Sequence, residues 1–298
     1  KMNALFEGFL VLNPRDAFKF SKYYNVFAKY ENTTVENSII LGTMVNGYLC
    51  NNAFSSDNLG EPKFDNAKDL GAGAFGALFA TFADNIYKWA GKNDLWFLAR
   101  EVYDIFAKNI IKENGNSEYF LTSRRSISVP AIENINDIRG ILEQNYDGTF
   151  SNLLKARLGL DVNDDFKNIH IIMPRDIEKV MKMVEPHLND IFEKANAEKK
   201  EYMVYINSLR YNENPCVVDV GYAGTIQYYL SKMLNKKVKG VYLSTTPEKK
   251  PEKLGCVCHS LYPLLDWGQS KENTVFKNQL FLEAVLKAPF GQLMCFEN

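Results

Sequence analysis

The segment Cys216-Val-Val-Asp-Val-Gly-Tyr-Ala-Gly-Thr225 decides the fold. Its first five residues are mostly apolar and β-branched, which is typical of a buried strand, and the glycines that follow end that strand. From Thr225 the chain continues Ile-Gln-Tyr-Tyr-Leu, which predicts a helix to Leu234. A strand that leads through a tight turn into a helix is the repeating unit of a parallel sheet.

The same alternation continues on both sides of this segment. Apolar runs predict further strands at residues 95–99, 119–122, 169–173 and 238–243. The spacing of apolar residues predicts helices at residues 100–112, 137–144, 151–158 and 176–210. Strands that alternate with helices indicate a parallel sheet flanked by helices, so the predicted fold class is α/β.

The chain before residue 70 has a different pattern. A cap and a first-turn proline, Asn13-Pro14, predict a helix at residues 16–30. Apolar spacing predicts a second helix at residues 34–49, and a polar stretch over residues 51–69 predicts a long surface loop. We therefore expect a helical N-terminal lead-in over residues 1–69 and an α/β domain over residues 70–298.

A glycine pattern at the start of the α/β domain resembles a dinucleotide-binding loop. Gly71, Gly73 and Gly76 spell G-x-G-x-x-G, but that loop must follow a strand, and the residues before Gly71 are mostly polar. We favour the alternative, in which small residues let a helix pack closely against its neighbours.

Charge and hydropathy argue against two classes of protein. The 35 Lys and Arg residues nearly balance the 36 Asp and Glu residues, so the chain lacks the basic surface that general nucleic-acid binding requires. The longest apolar run, residues 70–83, is shorter than the roughly 20 residues that span a bilayer. The first residues do not have the pattern of a signal peptide. We expect a cytoplasmic protein that reaches the inner face of the membrane only through partners.

Three potential zinc ligands lie close together at Cys256, Cys258 and His259. Zinc sites usually pair two such groups, and the sequence offers no second one. We favour reduced cysteines that pack as small hydrophobic side chains, with zinc as the alternative.

Polar residues follow the predicted apolar strands. In open parallel sheets the ligand lies beyond the carboxyl ends of the strands. The residues at these ends are Arg100 and Glu101, then Ser123, Arg124 and Arg125, and then Asp219 to Thr225.

The turn after Asp219 carries the sharpest of these patterns. Gly221 and Gly224 allow backbone amides to approach a ligand, and the helix that follows carries positive charge at its N-terminus. Arg124 and Arg125 add guanidinium groups, whose forked geometry suits phosphate. The alternative is that the glycines only shape the turn and Asp219 only caps the helix.

The order of these motifs resembles a known family. The motifs are Phe97-Leu-Ala-Arg-Glu, Tyr119-Phe-Leu-Thr-Ser-Arg-Arg, Val217-Val-Asp-Val-Gly-Tyr-Ala-Gly-Thr-Ile-Gln, Gly240-Val-Tyr-Leu and, after Glu283, Ala288-Pro-Phe-Gly-Gln. Together they resemble the haloacid dehalogenase-like (HAD-like) domains that are attached to bacterial glycosyltransferases in capsule and lipopolysaccharide gene clusters. The resemblance covers residues 70–296. It implies a Rossmann-like sheet, a phosphorylated ligand and Asp219 as an acidic metal ligand.

The chain departs from that family at the catalytic nucleophile. Phosphatases of the family attack through the first Asp of a D-x-D-x-[TV] motif after their first strand, and this chain has no such motif. The nearest acidic cluster, Asp161-Val-Asn-Asp-Asp, is predicted to be a loop. Val102 also stands where the Arg-Glu-Gly form of the first motif has glycine. Either the nucleophile lies upstream of Lys1, or the chain binds phosphate without forming an aspartyl-phosphate.

We expect an enzyme of surface-polysaccharide assembly that acts on a sugar phosphate or a nucleotide-activated sugar, by group transfer rather than hydrolysis. The expected catalytic residues are Asp219, Glu101 and Glu283, with Mg²⁺ held by Asp219. The expected phosphate- and substrate-binding residues are Arg100, Ser123, Arg124, Arg125, Gly221, Tyr222, Gly224, Thr225 and Gln227. The alternatives are a phosphatase whose nucleophile lies outside this chain and a non-catalytic module that docks a glycosyltransferase or another capsule-assembly partner.

Overall fold

The computed structural model describes residues 68, 71, 75–99, 117–209, 214–271, 273–287 and 291–297. The chain divides after Thr81 into two units, and nearly all of the described residues belong to the second, Phe82–Asn298. The helices predicted at residues 16–30, 34–49 and 100–112 lie outside the described residues. The domain boundary expected at residue 70 stays a prediction.

The strands and helices are numbered in chain order. The described strands are β1 (Asp94–Leu98), β2 (Ser117–Phe120), β3 (Tyr146–Thr149), β4 (His170–Met173), β5 (Pro215–Asp219), β6 (Lys239–Thr245) and β7 (Cys258–Pro263). The described α-helices are α1 (Gly76–Ala90), α2 (Arg124–Ser128), α3 (Ile135–Leu142), α4 (Phe150–Leu158), α5 (Ile177–Val184), α6 (Leu188–Ser208), α7 (Thr225–Leu234), α8 (Thr274–Lys277) and α9 (Gln279–Leu286). Short 3₁₀ helices occur at Glu185–His187, Lys250–Leu254 and Trp267–Lys271.

The larger sheet is parallel throughout, with the strand order β2-β1-β5-β6-β7. Every residue of β1 is buried, and so are the first four residues of β5. Strands that are apolar along their whole length are expected where helices flank a parallel sheet. The α/β, Rossmann-like fold class predicted from the sequence is confirmed.

The strand order opens a crevice between β1 and β5. The chain passes from β1 to β2 on one side, and then returns to β5 on the other side of β1 before it continues to β6 and β7. Such a reversal leaves a crevice at the carboxyl ends of the two strands, where open α/β sheets bind ligands. Leu98 and Asp219 are the last residues of these strands and lie at this edge.

Residues 129–209, between α2 and β5, form an insertion of helices and a small sheet. In this insertion β3 and β4 pair in antiparallel fashion. The strand predicted at residues 169–173 is therefore confirmed as β4, but it belongs to the small sheet and not to the parallel one. The segment Asp161-Val-Asn-Asp-Asp lies outside helices and strands, as predicted.

A shared apolar core joins the insertion to the parallel sheet. Trp96 of β1 stacks on Phe120 of β2, with ring centroids 4.5 Å apart, and Phe120 contacts the ring of Tyr202 on α6. All three side chains are almost completely buried. This packing places the insertion beside the carboxyl ends of β1 and β2.

Among the described residues, no helix is both long enough and apolar enough to cross a bilayer.

Candidate functional site

A cavity of about 510 Å³ opens at the carboxyl ends of β1, β2 and β5. Its volume is typical of small-molecule sites. The strand ends and the segments that directly follow them contribute Leu98, Ala99, residues 122–125, Asp219 and residues 221–226. The insertion contributes Gln144, Tyr146 and Arg157, among others. The C-terminal part contributes Glu283 and Gln292. The cavity thus lies at the crevice that the strand order creates.

The turn between β5 and α7 requires glycine at two positions. Gly221 has a φ of +153°, and a Cβ atom there would lie 2.3 Å from the carbonyl oxygen of Ser244. Gly224 has a φ of +67°, and a Cβ atom there would lie 2.8 Å from ring carbons of Pro251. Both glycines are therefore needed to shape the turn against its neighbours, whether or not a ligand binds.

The N-terminus of α7 faces the cavity. Its cap residue is Gly224, so no side chain caps the helix, and Thr225 and Ile226 of the first turn line the cavity. The first amides of a helix have no partner within the helix, and the helix dipole places partial positive charge at this end. An anion in the cavity can satisfy these amides.

Arg125 is buried and holds the fold together. Its Nη1 and Nη2 atoms donate to the two carboxylate oxygens of Glu198, on α6, at 2.6 and 2.7 Å. The same atoms donate to the carbonyl oxygens of Leu158 at 3.0 Å and Met294 at 3.2 Å. Only Nε lacks a hydrogen-bond partner among the described residues. The guanidinium is thus occupied, and Arg125 joins α2, α6 and the C-terminal segment.

Arg124, the preceding residue, is exposed on the cavity wall. Within the described chain, no carboxylate lies within ion-pair distance of it. The positive charge of Arg124 also lowers the pKa values of two other cations, Arg157 and Lys250. Burial lowers the pKa of Arg157, and the charge of Arg124 lowers that pKa further. Burial also lowers the pKa of Lys250, with smaller contributions from Lys253 and Arg124.

Ser123 lines the cavity as the N-cap of α2. Its Oγ accepts a hydrogen bond from the backbone N–H of Ser126 at 3.0 Å and donates to the carbonyl oxygen of Leu293 at 2.6 Å. The hydroxyl is therefore occupied by the cap and by the C-terminal segment, which leaves little of its bonding capacity for a ligand.

Gln227 does not line the cavity. Its side chain is completely buried, and Nε2 donates to the carbonyl oxygens of Val238 at 2.8 Å and Val257 at 3.0 Å. Oε1 accepts from the hydroxyl of Tyr242 at 2.7 Å. The amide thus ties α7 to the sheet, because Gln227 lies far enough into the helix to face the core. The structure therefore places Gln227, one of the predicted binding residues, in the core and not in the cavity.

Tyr222 lines the cavity at the turn after β5. Its ring lies edge-on to the ring of Phe276, with centroids 5.6 Å apart, and its carbonyl oxygen accepts from the amide of Thr246 at 3.1 Å. Tyr222 thus fixes the turn against the C-terminal part of the chain while it presents apolar surface to the cavity.

Asp219 and Glu283 are half-buried carboxylates that both line the cavity. The described residues contain no group of three or more His, Cys, Asp or Glu that could hold a metal ion. Mg²⁺, however, commonly binds through one or two carboxylates together with water and substrate phosphates. The two carboxylates fit that mode, in which the metal arrives with the phosphate, and Asp219 remains the expected ligand.

The potential zinc ligands make other contacts. Cys256 lies 3.5 Å from Oγ of Ser231, Cys258 lies 3.2 Å from Oε1 of Gln227, and the ring of His259 stacks on that of Trp89. Burial raises the pKa of the Cys258 thiol to about 12. These contacts agree with the interpretation of the cysteines as packing residues.

Arg100 and Glu101 lie outside the described residues, so their predicted roles stay predictions. Ala99, which directly follows β1, does line the cavity.

The sequence reasoning missed Arg157. It lies in the last turn of α4 and reaches the cavity from the insertion. In the sequence it is one of two basic residues of a predicted helix, and only the fold of the insertion brings it to the strand ends.

Comparisons of the chain with protein-family models, with curated proteins and with solved structures found no match.

Proposed function

We propose that the cavity binds a phosphorylated or nucleotide-activated sugar, and that the protein acts in the assembly of bacterial surface polysaccharide. One observation carries the ligand class: Arg124 lies in the cavity without a carboxylate partner among the described residues, together with the N-terminus of α7, which no side chain caps. A guanidinium and helix amides are groups that bind phosphate in proteins.

The carboxylates of the cavity suit the sugar part of such a ligand. Ionised carboxylates accept hydrogen bonds from hydroxyl groups, and a carboxylate close to an accepting hydroxyl can act as a general base. In this proposal Asp219 orients the sugar or holds Mg²⁺ with the phosphate, and Glu283 is the candidate base. Glu101 keeps its expected role as a second candidate base.

Transfer is proposed over hydrolysis because the sequence has no D-x-D-x-[TV] motif, which carries the nucleophile of HAD-type phosphatases. In those enzymes the motif follows the first strand, and Ala99 directly follows β1, the first strand among the described residues. A reaction without an aspartyl-phosphate needs the protein only to position two substrates and to stabilise charge on the phosphate.

The biological setting rests on the resemblance to HAD-like domains attached to bacterial glycosyltransferases. It implies a glycosyltransferase or another capsule-assembly protein as partner and a cytoplasmic location at the inner face of the membrane.

The test is a thermal-melt panel of the whole chain with nucleotide sugars, sugar phosphates and inorganic phosphate, each with and without Mg²⁺. For a chain of this length, a ligand of the folded state at about 100 times its Kd raises the melting temperature by about 4 °C. We expect such a shift for at least one phosphorylated compound, and we expect Arg124→Gln to reduce it by at least about half.

The matched control is Arg175→Gln, which removes an exposed arginine that does not line the cavity. This control should keep the shift. If no phosphorylated compound shifts the melting temperature, or if Arg124→Gln keeps the whole shift, the proposed ligand class is wrong.

A docking module is the second candidate, and the surface of α9 favours it. Leu280 and Phe281 expose 76% and 53% of their surface, on the helix that also carries Glu283. Exposed apolar side chains that form a contiguous patch commonly mark contact with another protein. This candidate predicts that no phosphorylated compound binds, and that Leu280→Ser/Phe281→Ser abolishes co-purification with a glycosyltransferase partner.

A further inference from the structure

Arg157 gives the cavity a second cation that comes from the insertion and not from the sheet. Its Nη1 donates to Oε1 of Gln144 at 3.0 Å, and its Nη2 donates to the carbonyl oxygen of Asn145 at 3.2 Å. A guanidinium has five N–H donors, so three remain without a hydrogen-bond partner among the described residues. The guanidinium of Arg157 is therefore held in position, and its remaining N–H groups can donate to a ligand.

Among the described residues, no carboxylate lies within ion-pair distance of Arg157. Burial lowers the pKa of Arg157, the charge of Arg124 lowers it further, and Tyr146, which also lines the cavity, raises it. Two guanidiniums that face one cavity repel each other, and this repulsion is relieved when an anion binds between them. Arg125 cannot replace either one, because Glu198 already pairs with it.

We propose that Arg157 and Arg124 form a second anion subsite, so that the cavity selects a ligand with two adjacent phosphates, such as a nucleoside diphosphate or its sugar ester. This inference rests on the proposed function, in which the first phosphate lies at the N-terminus of α7. Arg124 then lies between the two phosphates and contacts both. A ligand with a single phosphate leaves Arg157 unused.

The insertion therefore takes part in specificity. The sheet supplies the first phosphate site, and the insertion adds the second through α4. Gln144 and Asn145 hold the guanidinium of Arg157 before the ligand arrives, which reduces the entropy lost on binding.

The test compares orthophosphate with pyrophosphate by isothermal titration of the whole chain, because these ions differ in phosphate number and carry no sugar or base. Removing one charge-assisted contact costs about tenfold in affinity. We expect wild type to bind pyrophosphate at least about tenfold more tightly than orthophosphate. We expect Arg157→Gln to weaken pyrophosphate binding by about tenfold and to leave orthophosphate binding within about twofold.

The matched control is Lys155→Gln on the same helix. Lys155 is exposed and pairs with Asp161 at 2.7 Å, and it does not line the cavity. It should leave both affinities within about twofold, since a distant exposed charge is screened. If Arg157→Gln does not fold, Arg157→Lys takes its place, and it should still lose at least about threefold in pyrophosphate affinity because Lys cannot offer the forked donors.

One result overturns this inference alone, and a different result overturns the proposed function together with it. If Arg157→Gln or Arg157→Lys leaves pyrophosphate affinity unchanged, or weakens both ions equally, the subsite is wrong while the phosphate site stands. If wild type binds neither ion, and no compound of the melting panel binds, the proposed function falls and this inference falls with it.

Discussion

The ends of β2 and β5 face the same cavity but are built in different ways. At the end of β2, side chains stabilise the segment that follows the strand: Ser123 caps α2 and Arg125 pairs with Glu198. At the end of β5, the backbone conformation shapes the turn, because Gly221 and Gly224 adopt positive φ values and pack closely against their neighbours. The groups left for a ligand therefore differ as well: a side chain, Arg124, at β2, and the helix amides at β5.

The difference is sharpest between two adjacent arginines. Arg125 faces inward and is almost completely buried, whereas Arg124 faces the cavity and is exposed. An inward-facing charge must be neutralised, since a buried charge without a partner is strongly destabilising. An arginine that faces water needs no such partner, so it is free to bind a ligand. Substitutions at these two strand ends should therefore separate stability from binding.

The largest effect is expected for Glu198→Ala, which leaves Arg125 buried without its carboxylate partner. We expect it to lower the free energy of unfolding by about 3–5 kcal/mol. Urea denaturation followed by circular dichroism measures this. Glu178→Ala is the control, because Glu178 pairs with Arg139 at an exposed position, where an ion pair contributes little to stability, and it should lower the free energy of unfolding far less than Glu198→Ala does. Equal effects of the two substitutions would refute the structural role of Arg125.

The next effect is expected for Gly221→Ala. The added Cβ meets the backbone of Ser244, and alanine rarely adopts a φ of +153°, so we expect a loss of about 3 kcal/mol in the free energy of unfolding. Gly140→Ala is the control, since Gly140 lies in α3 with no atom within 4 Å of the added Cβ. That substitution should stabilise the protein by about 0.5–1 kcal/mol. If Gly221→Ala is as stable as wild type, the turn does not depend on its glycines.

A smaller effect is expected for Gln227→Leu. The carbonyl oxygen of Val238 and the hydroxyl of Tyr242 lose the bonds that Gln227 makes with them, whereas the carbonyl oxygen of Val257 keeps the bond from the amide of Gly240, so we expect a loss of about 2 kcal/mol in the free energy of unfolding. Ligand-induced shifts in melting temperature should stay as in wild type. A variant that folds normally but loses the ligand-induced shift in melting temperature would show that Gln227 takes part in ligand binding.

The smallest effect on folding is expected for Arg124→Gln. An exposed side chain without an ion pair among the described residues contributes little to stability, so the free energy of unfolding should change by less than about 0.5 kcal/mol. The same variant should lose at least about half of the ligand-induced shift in melting temperature. A large loss of stability would mean that Arg124, like Arg125, has a structural partner.

The sequence predicts the parallel sheet well where strands are apolar throughout, as in β1 and β5. It does not predict β3, because Tyr146-Asp-Gly-Thr carries a charge and a glycine and pairs only in the small sheet. It also misses β7, whose residues Cys258–Pro263 are half-buried or exposed and include His, Ser and Pro. Such strands depend on a neighbouring strand more than on their own composition.

The sequence also predicts that the ligand site lies at the strand ends, but it does not assign individual side chains. Arg124 and Arg125 look equivalent until Glu198, which lies 73 residues further along the chain, pairs with one of them. Gln227 belongs to the same motif as Gly224, and its position in the helix turns it into the core. Long-range contacts of this kind decide which polar residues remain for a ligand.

The most direct test of the phosphate site is a crystal structure of the whole chain with the compound that gives the largest shift in melting temperature. We expect a phosphate oxygen within about 3 Å of both the guanidinium of Arg124 and the backbone amide of Thr225. A ligand bound elsewhere, or a cavity that stays empty at saturating concentration, would contradict the assignment of this cavity as a phosphate site.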